Sequence, residues 1–210
     1  MIYFRNVCLS FLDKKLFEDI NWTIHPKSLG GLVGDNGTGK TTLFRAILDK
    51  IHLDSGVINI PNRKQISIGY LPQDLVALEA ISLIDFLKKK SGIAELEKAI
   101  HDLERQISQA KHNTHDFSHL SKKYSDALAH YNTLDGYSFE AKAKQILKGF
   151  GFREDDFAQN CDLFSGGWKM RILLTSILLS RPDIMLLDEP TNHLDTESME
   201  WLESYLKDYP

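Results

Sequence analysis

Residues 34–42 read GDNGTGKTT, and no other stretch restricts the possible folds of this chain as much. It fits G-x-x-x-x-G-K-[ST] through Gly34, Gly39, Lys40 and Thr41. A glycine-rich turn of this kind lets backbone N–H groups close around phosphate oxygens, and the helix it opens adds the positive end of its dipole. The pattern carries weight only between a strand and a helix. GGLVG (30–34) reads as a short buried strand and TLFRAIL (42–48) as a helix, so the context is met. Asp35, Asn36, Gly37, Thr38 and Thr42 complete the candidate cradle. Lys40 is placed to hold β- and γ-phosphates, and the Thr41 hydroxyl to ligate Mg²⁺.

Further along, four apolar residues, Ile184 to Leu187, run into Asp188 and Glu189. Adjacent acids at the end of a buried strand suit a metal ligand, Asp188, and a general base for an attacking water, Glu189. Gln73, in GYLPQD, follows another predicted strand and would reach both metal and water with its amide. DLFSGGWKMR (162–171) sets a serine and two glycines ahead of an apolar helix expected over 168–179. Ser165 is expected to cap that helix while Gly166 and Gly167 expose backbone donors, a second anion-binding turn. Taken alone this is an ordinary serine cap; the order of the motifs around it argues for more. Phe11 either packs into the core or stacks on an adenine, with Phe17 as a rival, and the sequence leaves these open.

Apolar residues two apart, Ile2 with Phe4, Leu9 with Phe11, and Ile20, Trp22 and Ile24, predict half-buried strands. GVINI and QISIGYLP add two more, and Ser82 with Asp85 starts a helix over LIDFLKKK. From Ile93 the spacing becomes three and four: Ile93, Leu96, Ile100, Leu103, Ile107, then Phe117, Leu120, Tyr124, Ala127, Tyr131, Leu134. Two narrow seams joined by a polar tip predict an antiparallel helical hairpin with limbs about 25 Å long. This arm is assigned to 88–137, between an N-terminal part (1–87) and a C-terminal part (138–210). Its tip, HNTHDFSH, with His112, His115, Asp116 and His119, reads as exposed polar surface rather than a metal site. Five of the eight histidines fall between 101 and 130, which makes the arm a candidate for pH sensitivity.

The net charge of −4 excludes a basic nucleic-acid coat and leaves any RNA contact to local patches such as Lys88–Lys90 and Lys122–Lys123. No apolar run approaches the ~20 residues of a bilayer crossing. MIYFRNVCLSF lacks the pattern of a secretory signal. Cys8 and Cys161 have no metal-ligand company and read as packed, reduced thiols, so a cytoplasmic protein is expected.

The order phosphate loop, glutamine, S-G-G turn, apolar strand with Asp-Glu, then TNHLD resembles the nucleotide-binding domain of ABC ATPases over essentially the whole chain. GDNGTGKTT, FSGGWKMR and LLDEPTNHLD carry that resemblance. The last, with a helical hairpin between glutamine and signature, resembles the first ATPase domain of the ABC-F subfamily, soluble tandem ATPases that act on the ribosome. FSGGW departs from the commoner LSGGQ at both ends, and similar Trp-bearing signatures occur in that subfamily.

The resemblance implies an α/β P-loop fold with an N-terminal antiparallel β-subdomain, a RecA-like parallel core, a helical subdomain and an inserted arm. It implies ATP and Mg²⁺ as cofactors and hydrolysis to ADP and phosphate. It also implies that Ser165, Gly166 and Gly167 cover the nucleotide held by the phosphate loop of a facing domain, with Asp195 across the same seam. The facing partner would be a second ABC domain of a longer chain or a second copy; the ribosome, through rRNA or tRNA, would be the other partner, with no membrane.

ABC ATPases carry a switch histidine on a strand after the helix that follows the Asp-Glu pair, and this sequence stops at LKDYP without it. His193 belongs to the TNHLD loop and is no substitute. That strand lies centrally in related sheets, so residues 1–210 alone are expected to be poorly stable and to turn over little ATP. Two other readings compete. The ATP-hydrolysing subunit of an ABC membrane transporter would need a docking region for membrane partners between Gln73 and Ser165, where the seams fit an arm better. A non-catalytic clamp is argued against by intact Lys40, Asp188 and Glu189.

Overall fold

β1 (Ile2–Phe11) buries Ile2 and Phe4 and then Val7 and Leu9, so its inward face moves from even to odd positions. The change occurs at Asn6, whose φ is 48°, where the ladder to the next strand skips. One irregular residue thus reconciles the two alternating phases visible in the sequence. The computed structural model describes residues 1–11, 14–74, 77–110 and 115–209. These form two units.

The first unit comprises Met1–Gln73, Pro182–Pro190 and the last residues from Asp208. β1 lies between β2 (Lys14–Ile24) and β3 (Ser55–Asn59), antiparallel to both. Their inner faces join α1 (Lys40–Ile47) through Leu43 and Ile47 in one core that also takes in Leu186. β4 (Ile68–Leu71) and β5 (Ile184–Leu187) form a separate parallel pair, with Ile68 opposite Ile184 and Leu71 opposite Leu187.

The buried strand expected over GGLVG is not formed. Leu29 and Val33 are 72% and 95% exposed, and residues 28–34 carry no strand. A strand needs a partner for its N–H and C=O groups. β5 bonds β4 along one edge, and among the described residues no strand runs along the other, so this segment has no ladder to join.

The second unit, Asp74–Arg181 with Thr191–Lys207, is helical. α2 (Leu83–Lys90) starts where expected, with Ser82 Oγ accepting from the Asp85 amide at 3.1 Å. α3 (Ile93–Gln109) and α4 (His115–Thr133) form the hairpin. Tyr124 donates its hydroxyl to Glu104 at 2.9 Å and Tyr131 donates to Glu97 at 3.1 Å. Seven residues forward on α4 correspond to seven back on α3, which makes the limbs antiparallel. Their seam residues beyond Ile93 are half-buried up to Tyr131, and Leu134, just past α4, is exposed, as befits two helices packed mainly on each other. Residues 111–114, including His112 of the tip, lie outside the described residues, as does the His115 side chain.

α5 (Gly136–Gly149), α6 (Gly166–Ser180) and α7 (Thr196–Lys207) complete this unit. Met170, Ile172, Leu174 and Leu178 bury several faces of α6, which explains a helix apolar nearly all round. At Gly149 the Trp201 indole occupies the space any Cβ would need, so only glycine lets α7 approach α5 this closely. The unit also holds a cavity of about 450 Å³ between α5, α6 and α7, whose lining includes none of the motif residues. No helix among the described residues is long and apolar enough to cross a membrane.

Candidate nucleotide site and the second anion-binding turn

The phosphate loop folds from its own sequence. Thr38 returns both its amide (3.3 Å) and its hydroxyl (2.8 Å) to the Asp35 carbonyl, which tightens the turn. Gly39 is the N-cap of α1 at φ 102°, a left-handed conformation natural to glycine. A Cβ there would stand 3.1 Å from Phe17 Cε1, so the buried Phe17 ring forms the floor of the loop. Lys40 curls back onto its own loop, donating to the Gly34 carbonyl at 2.7 Å and the Asp35 carbonyl at 3.3 Å. Thr41 and Thr42 follow in the first turn of α1. Lys14 donates to the Gly37 carbonyl at 3.2 Å and is the register partner of Phe11.

Phe11 itself is 70% exposed at the end of β1. The core reading therefore fails for Phe11 and holds for Phe17. The face of the Phe11 ring is open to a base; the burial of Phe17 leaves it no such face.

The parallel register of β4 and β5 assembles the acidic side of the site. Two residues past the Leu71–Leu187 pair, Gln73 donates from Nε2 to Glu189 Oε2 at 2.9 Å. A carboxylate only accepts, so the amide nitrogen must face it. The other oxygen, Glu189 Oε1, stands 3.6 Å from the Lys40 ammonium. Glu189 has φ 49°, a conformation worth roughly 1–3 kcal/mol of strain in a non-glycine residue and one that clusters at functional sites. Asp188 is 2% exposed; its amide bonds the Leu71 carbonyl at 3.1 Å and Tyr70 donates to its Oδ2 at 3.5 Å. That long bond leaves acceptor capacity on a buried carboxylate. The Thr41 hydroxyl and the Gln73 amide oxygen would add only further oxygen donors, the chemistry that suits a hard cation such as Mg²⁺.

The second turn lies in the helical unit. Ser165 is the N-cap residue of α6, yet its hydroxyl makes no capping bond, contrary to expectation. Its ψ of 164° continues the extended approach of the chain, and the serine is exposed. Gly166 and Gly167 open the helix, where amide donors have no intrahelical acceptor. Asp195 immediately precedes α7, with Oδ1 accepting from the Ser198 amide at 2.8 Å and Oδ2 from Arg171 at 2.9 Å. The Ser198 bonds first, and then Arg171, hold its carboxyl down at about 2. Sequence reasoning had no role for Arg171; only its place in FSGGWKMR marked it.

The lysines offered for RNA divide. Lys88 pairs with Glu97 at 3.1 Å and Lys89 with Glu79 at 2.5 Å, whereas Lys122 and Lys123 are exposed on α4. Cys161 is buried, and burial pushes its thiol up to about 12, consistent with a packed, unreactive residue.

These motifs lie in one family's frame. A family model described as ABC transporter matches residues 17–192. The chain belongs to the ABC transporter family. Among its relatives, the probable ATP-binding protein YheS of Haemophilus influenzae is 34% identical over 209 residues, covering 100% of this chain and 31% of that protein. ABC transporter F family member 2 of Arabidopsis thaliana is 31% identical over 96% of this chain and 30% of its own length. The likeness to an ABC-F first ATPase domain is borne out by these relatives, of whose length the chain spans about a third. A solved ATP-binding subunit of an ABC transporter superposes with TM-score 0.66 at 18% identity, covering 100% of this chain and 74% of that one. The dimeric bacterial ABC transporter cassette MJ0796 gives 0.61 at 18% identity, with 99% and 82% coverage. Both share the fold: the antiparallel sheet, the parallel pair and the helices are those of an ABC-type ATPase domain.

Proposed function

We propose that this ABC-F domain binds Mg²⁺–ATP on the 34–42 loop and hydrolyses it at a head-to-tail interface with a second such module, to regulate translation on the ribosome. The observation that carries the reading is the contact of Gln73 with Glu189, 3.6 Å from Lys40, in a chain that also presents a separate S-G-G turn.

In this reading Phe11 stacks on adenine and the loop amides of residues 34–42 enclose the phosphates. Lys40 exchanges the Gly34 carbonyl for β- and γ-phosphate oxygens. Glu189 accepts the proton of a water whose oxygen attacks the γ-phosphorus, as the bond to the β-bridging oxygen breaks and ADP departs. Gln73 holds the Glu189 carboxylate in line through its amide nitrogen. Thr41, Asp188 and the Gln73 oxygen would hold Mg²⁺, which neutralises phosphate charge when bound. Ser165, Gly166 and Gly167 donate to the nucleotide of the facing module, with Asp195 at the same seam. That module is a second ABC domain of a longer chain or a second copy, as dimer formation by the MJ0796 cassette supports.

The arm, with exposed Lys122 and Lys123, is assigned to rRNA or tRNA phosphates, and the protein to the cytoplasm. Co-sedimentation of the Glu189→Gln protein with ribosomes tests this. Retention in ATP that is lost in ADP and weakened by Lys122→Glu with Lys123→Glu is the expected result. Equal sedimentation with and without ATP would overturn the ribosomal part of the reading.

A further inference from the structure

The signature helix and the loop before α7 are tied together by one side chain. Arg171 donates from Nε to the His193 carbonyl at 3.3 Å and from one terminal nitrogen to the Phe150 carbonyl at 2.9 Å. Its other terminal nitrogen donates to Asp195 at 2.9 Å. The guanidinium also lies 4.6 Å above the Trp168 ring, which packs edge-on against Phe152. Its side chain is only 11% exposed. A planar fork is suited to three acceptors at once, as an ammonium is not. The acceptors come from the end of α5 and from both sides of Leu194. The His193 carbonyl that receives Arg171 also lies 3.8 Å from where a Cβ of Gly167 would stand. The turn that presents Gly167 and the loop that presents Asp195 therefore share one brace.

We infer that Arg171 is a positioning residue: it holds Asp195 and the 165–167 turn in one fixed geometry, so that a facing module meets both together. This rests on the head-to-tail reading above. Arg171 touches no reacting atom; it acts through the 191–195 loop, whose carboxylate it engages inside its own chain. Losing the brace leaves the phosphate loop, in the other unit, chemically unchanged while misaligning the turn and the carboxylate together.

The experiment compares Arg171→Ala and Arg171→Lys in a Glu189→Gln background. In Arg171→Ala without nucleotide, amide exchange at Ser198 and Met199 should rise about ten-fold and stay unchanged in the middle of α5 and α6. ATP-dependent pairing by sedimentation velocity should weaken about ten-fold, while the affinity for a fluorescent ATP analogue stays within about two-fold. Arg171→Lys, which keeps the charge but reaches fewer acceptors, should fold normally and still weaken pairing. Should Arg171→Ala fail to fold, Arg171→Lys decides alone through the same measurements. Unchanged pairing, or exchange accelerated throughout α5 and α6, would overturn the inference by reducing Arg171 to general support. If the Glu189→Gln parent does not pair in ATP although the exchange difference persists, the head-to-tail reading falls, and Arg171 loses its positioning role with it.

Discussion

Gln73 and Glu189, 116 positions apart, meet at 2.9 Å because β4 and β5 run parallel with Leu71 opposite Leu187. Each residue lies two beyond a paired leucine, so strand register brings amide and carboxylate to the same end of the pair. The contact leaves the second oxygen of Glu189 facing Lys40.

Replacing Gln73 separates orientation from charge. Gln73→Ala should lower single-turnover phosphate release about ten-fold at saturating Mg²⁺ and ATP, because the base is present but loosely aimed. Gln73→Glu replaces the amide donor by a carboxylate, which cannot donate to Glu189, and should lower phosphate release at least as far. Single-turnover phosphate release checks both, and parent-like rates in both variants would remove the Gln73–Glu189 contact from the mechanism.

Gly39 carries two constraints, its φ of 102° and the Phe17 ring 3.1 Å from a prospective Cβ. Gly39→Ala should cost about 1–3 kcal/mol by urea denaturation and abolish tight nucleotide binding. Combining it with Phe17→Leu should recover part of the stability by relieving the clash, though not the affinity, since the backbone strain remains. Full recovery of binding would show that the ring alone matters.

Asp195 links stability to pH. Its carboxyl, held at about 2 by Ser198 and then Arg171, lies below the ordinary unfolded value near 3.9. A depressed carboxyl contributes stability that is complete above the unfolded value and is lost as pH falls through the folded one. Asp195→Ala should therefore lower stability by about 1 kcal/mol at neutral pH, the usual size of a lost helix cap. Thermal unfolding followed by tryptophan fluorescence should show the gap between parent and variant closing between pH 4 and pH 2. A gap that stays constant to pH 2 would mean that the ionised carboxylate is not what stabilises this turn.

Much of the site was legible because its parts are local. Spacing within nine residues names the phosphate loop, Ser82 with Asp85 names a helix start, and intervals of three and four name the arm. Errors arose where a segment needed a distant partner. GGLVG has a strand's composition but no ladder to join, and the choice that the sequence left open at Phe11, core or exposed ring, waited on its 70% exposure in the fold. Ser165 has the residue type and the extended backbone of a cap, yet its hydroxyl makes no capping bond.

By itself, then, the sequence marked the candidates for phosphate, metal and base chemistry, since motif spacing acts over one turn of backbone. Only the tertiary structure decided which of them touch: that Gln73 orients Glu189, that Phe17 supports Gly39, and that Arg171 binds Asp195 to the signature helix. Contacts across 22 to 116 positions depend on strand register and helix packing, which no local pattern encodes.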